Sequence, residues 1–279
     1  MFIETHSHLD FPDFQEDLDA VIQRAHDAGI SKMISIAAEL ESNQRVVQLA
    51  EKYPSIYATV GVHPCHATEV SDDFCKELRK WVHHPRVVAI GETGLDYYRL
   101  PSKVAAMQSS KPLDEVKKEA LLKEDAAIKQ RQADVFHQQL DLAAEFKLNV
   151  VIHQRDSWED TLAILAPYQG KLRGVFHCFG GTLEQALQVI DLGHLVSFTG
   201  IVTFKNARQV QKVATKLPVG KFMVETDCPY MSPTPHRGER CEPAYVRLIA
   251  QKIAELRGIS LEEVAVMTTQ TAHNFFRFA

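Results

Sequence analysis

Two histidines stand two residues apart near the start of the chain, His6 and His8 in "FIETHSH". Side chains at positions i and i+2 of a strand point the same way, so the pair can converge on one point as a strand ends. Two imidazoles aimed at one point suit a metal ion. Further imidazole and carboxylate groups close short apolar runs: His63 after "IYATVGV", Glu92 after "VVAIG", His153 after "NVVI", His177 after "RGVF" and Asp227 after "KFMVET". A lone histidine after a strand is ordinarily a loop residue bonded to backbone, and a lone aspartate there ordinarily caps the next helix. The same coincidence at five or more strand ends argues instead for one shared centre. The donors are imidazole and carboxylate without thiolate, a set that suits zinc, manganese, iron or magnesium and not a structural zinc site.

Such a centre needs a scaffold that gathers strand ends. Eight apolar, β-branched runs (2–6, 32–38, 56–63, 87–92, 149–153, 173–177, 195–200 and 221–227) alternate with amphipathic stretches. The pattern predicts an α/β fold, a TIM-type (β/α)8 barrel, with a seven-stranded or distorted closure fitting nearly as well. Barrel enzymes carry their active sites at the C-terminal ends of the strands, where these residues fall. The stretch 17–29 reads as a helix ended by Gly29. Ser260 and Glu263 form a capping-box start for a last helix, expected to pack on the barrel exterior. The interval from Glu92 to His153 is too long for one loop and one helix. Its residues 101–127 are polar and poor in aromatics, and read as an insertion, either a solvated helix or a lid over the barrel mouth. The whole chain, 1–279, is expected to form one barrel domain.

At 279 residues, 45% hydrophobic and 24% charged, the chain has ordinary globular composition. A net charge of −5 argues against coating nucleic acid by bulk positive charge. It does not exclude a nuclease, because bound cations supply positive charge inside an acidic pocket. Five scattered cysteines without a CxxC pair fit a reducing cytoplasm. No signal-peptide pattern and no apolar run of membrane-crossing length is seen, so a cytoplasmic protein without a membrane partner is expected.

In order along the chain, "THSH", "VGVHP", "AIGETGLDYY", "VVIHQRD", "VFHCFGG", "SFTGIVTFKNA", "VETDCPYMSP" and "PHRGE" resemble the signature blocks of the TatD family of metal-dependent deoxyribonucleases. The likeness covers the chain except the insertion. It implies a TIM-type barrel of the amidohydrolase kind, two divalent metal ions, and hydrolysis of phosphodiesters in DNA ends or short oligonucleotides, with no obligate protein partner. Carried over, the metal ligands are His6, His8, Glu92, His153, His177 and Asp227. His6 and His8 would hold one ion, Glu92 would bridge to a second held by His153 and His177, and Asp227 would act as general base. Glu4 stands where the family more often has aspartate, and the insertion is longer than usual. The fourth strand has no lysine to be carboxylated as a bridge, which shifts weight toward the phosphodiesterase branch. His63, Lys205 and Arg237 are candidates for holding phosphate, and Tyr97, Arg155 and Tyr230 for stacking on a base or sugar. The alternative function is a metallohydrolase of a small amide or phosphate ester. A third reading, a binding module that has lost catalysis, fits poorly with a full ligand set.

Overall fold

The computed structural model of the chain describes residues 1–109 and 114–278. Eight strands are present: β1 (Phe2–Ser7), β2 (Ile30–Ile36), β3 (Ile56–Val60), β4 (Val87–Asp96), β5 (Asn149–Arg155), β6 (Gly174–Phe176), β7 (Leu195–Phe198) and β8 (Phe222–Val224). Each pairs in parallel with the next in sequence. A parallel bridge between Ser7 and Cys228, just beyond β8, brings the last strand back to the first. The result is a nearly closed eight-stranded barrel with helices between the strands, which settles the strand number left open by the sequence.

The barrel interior is layered. Ile3, Ile34, Ile36, Tyr57, Val88, Ala89, Val151, Val175, Leu195 and Met223, at least one from each strand, form a single buried cluster together with Ala272, Phe275 and Phe276. Residues of all eight strands can meet in one cluster only inside the barrel, so these residues are its floor. The last helix (Leu261–Phe275) begins with the expected capping box, Ser260 Oγ accepting from Glu263 N at 3.1 Å and Glu263 Oε2 accepting from Ser260 N at 2.8 Å. It does more than line the exterior: Phe275 and Phe276 at its end close the floor. A second, larger cluster packs the outward strand faces against the helices.

The helix predicted at 17–29 spans Leu18–Asp27, and Gly29 follows it with φ of 87°, in the left-handed region that glycine adopts without cost. The predicted insertion is helical: Pro101–Gln108 packs against the first part of a 32-residue helix, Glu115–Phe146. Residues 114–120 of that stretch are exposed, and it meets the solvated-helix expectation; residues 110–113 of the insertion lie outside the described residues. Asp125 anchors the pair by accepting from Ser102 N at 3.1 Å and from Ser102 Oγ.

Candidate metal centre

The upper end of the barrel is as polar as the floor is apolar. β1 ends in His6 and His8, whose Nε2 atoms lie 3.3 Å apart. Glu4, two residues before His6, is fully buried and is no part of the cluster. Its Oε1 accepts from His6 N at 2.9 Å and from Thr226 N at 3.0 Å, tying the start of the barrel to the segment that carries Asp227. On the far side, Glu92 and His153 come from adjacent strands that approach closely. A Cβ at Gly94 would stand 2.0 Å from the His153 carbonyl oxygen, and Gly94 has φ of 138°, so glycine is required there. Asp227 itself lies in the left-handed region, with φ of 62°. A backbone held in so sparsely populated a region is a feature of functional sites.

All six expected ligands meet around Glu92, which is 2% exposed. Glu92 Oε2 lies 3.3 Å from His6 Nε2 and 3.8 Å from His8 Nε2; both of these nitrogens also face Asp227 Oδ1, at 3.6 and 3.5 Å. Glu92 Oε1 lies 2.7 Å from His177 Nε2 and 2.8 Å from His153 Nδ1, two nitrogens that are 3.2 Å from each other. One carboxylate is therefore shared by two imidazole pairs, one oxygen to each. Burial alone would push the Glu92 carboxyl up, but the imidazoles of His177, His63 and His6 and the bond to His153 together hold it well below the usual carboxylate range. Burial disfavours charge on His177 as well, yet Glu92 and Glu225 raise its pKa well above the usual imidazole range. Both shifts have one main cause, the attraction between the buried carboxylate and the imidazoles around it.

The outer nitrogens decide which lone pairs face inward. A carbonyl oxygen only accepts, so the 3.1 Å contact of His8 Nδ1 with the Ile36 carbonyl places a proton on Nδ1 and leaves Nε2 free to coordinate. Asp96 Oδ2, 3.1 Å from His153 Nε2, does the same for Nδ1 of that ring, and its own carboxyl is drawn down to about 2: burial opposes the shift, and the bond to His153 overcomes it. Glu225 Oε1 stands 3.6 Å behind His177 Nδ1. Metal-binding histidines characteristically donate their other N–H to a carboxylate or carbonyl. Inward lone pairs packed 3.2–3.3 Å apart repel unless a cation lies between them. On both counts the donor set fits divalent ions. His6, His8 and Glu92 form one group whose donor atoms all lie within 4.8 Å of one another; His63, Glu92 and His153 form another, and His6, His177 and Glu225 a third.

His63 is distinct from the other imidazoles. Its Nδ1 accepts from Cys65 N at 3.1 Å, so in the neutral ring the proton is on Nε2, which faces Glu92 Oε1 at 3.6 Å. Burial, reinforced by His153 beside it, pushes its pKa well below the usual imidazole range. It thus presents an N–H to the centre, which suits a phosphate contact better than a metal ligand. Lys205 and Arg237 are exposed on the loops after β7 and β8, and among the described residues neither touches the imidazole cluster. The Arg237 guanidinium lies over the Phe204 ring at 3.6 Å, beside Lys205.

Of the three stacking candidates, Tyr97 is not available. It is buried, its hydroxyl donates to Asp160 at 2.9 Å, and Lys129 covers its ring. Its neighbour Tyr98 is the exposed member of the pair, as alternation along an extended segment requires. Arg155 and Tyr230 do reach the rim. Three further residues belong to the site. Asp96 and Glu225 were legible as carboxylates four and two residues from Glu92 and Asp227, a strand spacing that shares a face. Phe11, stacked on His8 with ring centroids 4.7 Å apart, had no signal in the sequence.

Comparison with known proteins finds relatives over the whole length of this chain. A family model described as TatD related DNase matches residues 3–277. A Bacillus subtilis protein named as an uncharacterized metal-dependent hydrolase, YabD, is 34% identical over 278 residues, covering 99% of both chains. A Pantoea vagans protein named 3'-5' ssDNA/RNA exonuclease TatD is 32% identical, covering 95% of each. The crystal structure of YjjV, a TatD homologue from Escherichia coli K12, superimposes with a TM-score of 0.84 at 30% identity, covering 99% of this chain and 97% of the other. Matched from end to end by that family model and by relatives of its own length, the chain belongs to the TatD-related DNase family.

Proposed function

We propose that this protein hydrolyses phosphodiester bonds at the ends of DNA strands, in the manner of an exonuclease, with two divalent metal ions. The observation that carries the reading is Glu92, one buried carboxylate whose two oxygens face two separate pairs of imidazoles. His6, His8 and Glu92 Oε2, with Asp227, would hold one ion; Glu92 Oε1, His153 Nδ1 and His177 Nε2 would hold the other. Ions in these places lower the pKa of water toward neutrality and offset the charge of a phosphoryl group.

The chain's own residues supply the rest. Asp227 Oδ1, beside His6 and His8, takes the proton that the attacking water gives up. His63 directs Nε2–H at a phosphate oxygen, and Lys205 and Arg237 add positive charge at the rim. Asp96 fixes the ring of His153, and Glu225 sets a negative charge 3.6 Å behind that of His177. β4 carries Glu92 and no lysine at the bridging place, which supports a phosphodiester over an amide. The name of the Pantoea vagans relative supports digestion from a strand end.

The test is cleavage of an end-labelled single-stranded oligonucleotide with added magnesium or manganese, with and without chelator, beside Asp227→Asn. Stepwise shortening that needs metal and is abolished by the substitution is expected. A folded, metal-loaded protein that leaves the strand intact would overturn DNA as the substrate and point to a small ester or amide.

A further inference from the structure

Two aromatic surfaces flank the metal centre. On one side the Phe11 ring lies on His8, its plane 20° from that of the imidazole, and Tyr230 meets Phe11 edge-on, with centroids 6.3 Å apart at 76°. Tyr230 is 53% exposed. On the other side the Arg155 guanidinium covers the Tyr98 ring at 3.7 Å, and Tyr98 is 37% exposed. Each surface is fastened to the site. Tyr230 N donates to the Asp227 carbonyl at 2.9 Å, and Tyr98 N donates at 2.8 Å to Asp96, the carboxylate that holds His153. The loop carrying Tyr230 is held by Arg240, which bonds Asp17 through both guanidinium ends at 2.8 Å and Glu242 at 2.8 Å.

Their placement follows from the barrel. Phe11 and Tyr230 follow β1 and β8, which are neighbours at the seam; Tyr98 and Arg155 belong to the ends of β4 and β5. In an eight-stranded ring these pairs stand opposite each other, so a phosphodiester seated over Glu92 has one aromatic surface on each side. We propose that Phe11–Tyr230 and Tyr98–Arg155 are two stacking subsites, each holding one unpaired nucleobase of the two nucleotides that flank the scissile phosphate. The inference rests on the nuclease reading above. Aromatic faces and arginine planes stack on any base, because every base has a π face. A base inside a duplex already has both faces occupied, so the subsites select unpaired strands. They also set a smallest substrate of two nucleosides joined by one phosphate, with no sequence preference.

The test uses single-stranded oligonucleotides with an abasic residue at the terminal or at the penultimate position. In the wild type each abasic position should raise KM about ten-fold, with kcat within about two-fold. Tyr230→Ala should abolish the response to one abasic position and keep the response to the other; Arg155→Ala should do the reverse. Tyr230→Phe, which keeps the ring, should keep the response to both abasic positions. A readout apart from turnover is the fluorescence of 2-aminopurine placed at those positions, bound to the Asp227→Asn protein: stacking quenches it, and each rim substitution should restore it at one position only. If the wild type cuts the strand and abasic residues cost it nothing, or if Tyr230→Ala harms intact and abasic strands equally, the subsites fall and the nuclease reading stands. If the protein neither binds nor cuts the strand, that reading falls and takes the subsites with it.

Discussion

The two ends of the barrel are built from the same eight strands and have opposite characters. At the floor, apolar side chains from all eight strands pack against Phe275 and Phe276, and the Arg86 guanidinium lies over the Tyr57 ring at 3.9 Å. At the mouth, four imidazoles and two carboxylates crowd within 4 Å of their neighbours, and two of those imidazoles, His6 and His177, stack with centroids 4.1 Å apart. β5 spans both layers by alternation, with Val151 at the floor and His153 at the mouth, while β8 carries Met223 at the floor and the chain past it carries Asp227 at the mouth. The floor supplies burial that stabilises the fold, and the mouth spends part of that stability on like groups held close together. The difference predicts that stability and metal chemistry separate under mutation.

The largest expected effect is at the mouth. Glu92→Gln keeps the shape of the side chain and removes the charge shared by the two imidazole pairs. Turnover should fall at least about a thousand-fold, or ~4 kcal/mol of barrier. Equilibrium dialysis should show fewer ions bound per chain, while the urea midpoint of the metal-free protein should fall by less than in a floor variant, the loss being that of the carboxylate's attraction to the imidazoles. Leu195→Ala tests the opposite end. It removes a fully buried floor side chain and should cost about 2–5 kcal/mol of stability, read as a lower urea midpoint, with metal stoichiometry unchanged. Equal loss of stability in both variants would break the separation.

The sequence showed the mouth more clearly than the floor, for physical reasons. A ligand set is a few chemically distinctive residues at strand ends: His6, His8, His63, Glu92, His153, His177 and Asp227 stood out by type and place, and the family resemblance set His63 apart from the other six. Floor and shell residues are all apolar. In β-strands buried on both faces, such as "NVVI", nothing in the residue types says which face is which. Phe275 and Phe276 pose a different ambiguity: at the end of an amphipathic helix, nothing in their type separates packing on the barrel's side from closing its floor, which is where they are found. The error at Tyr97 is again one of strand faces: in "DYY" both rings look alike, and only the phase of the strand decides that Tyr97 turns inward and Tyr98 outward. Asp96 and Glu225 are the reverse case: four residues past Glu92 and two before Asp227, each shares its neighbour's face by phase alone.

The floor end holds one titratable group that can sharpen the comparison. His194, before β7, is 1% exposed; its Nδ1 accepts from Gly174 N at 2.8 Å, and its Nε2 is buried without a partner. Burial, helped by the charge of Arg173, lowers its pKa to about 4. The folded value lies below the unfolded one, near 6.5, so between these values the unfolded chain binds more protons. Stability is therefore full above pH about 6.5 and falls as pH drops toward 4, by about 3 kcal/mol at most. Urea midpoints against pH should show this loss in the wild type and a shallower one in His194→Asn, which keeps an acceptor for Gly174. Matching curves would mean that the acid sensitivity arises at the mouth.

The smallest effect separates holding a metal from holding the ring that holds it. Asp96 touches no donor atom of the two imidazole pairs directly except through His153, whose Nε2–H it accepts at 3.1 Å, while its other oxygen accepts from Tyr98 N at 2.8 Å. In Asp96→Asn the Tyr98 bond can survive through the amide oxygen. The group facing His153 then becomes an N–H that accepts nothing, so the ring must lose its Nε2 proton or turn. Either change spoils the presentation of Nδ1 to Glu92 and His177. Loss of such an outer partner typically weakens metal binding about 10–100-fold. Titration with manganese should show one of two binding steps weakened by that factor and the other, at His6 and His8, unmoved. If both steps weaken together, the two imidazole pairs act as one unit through Glu92, and the division of labour between its two oxygens is wrong.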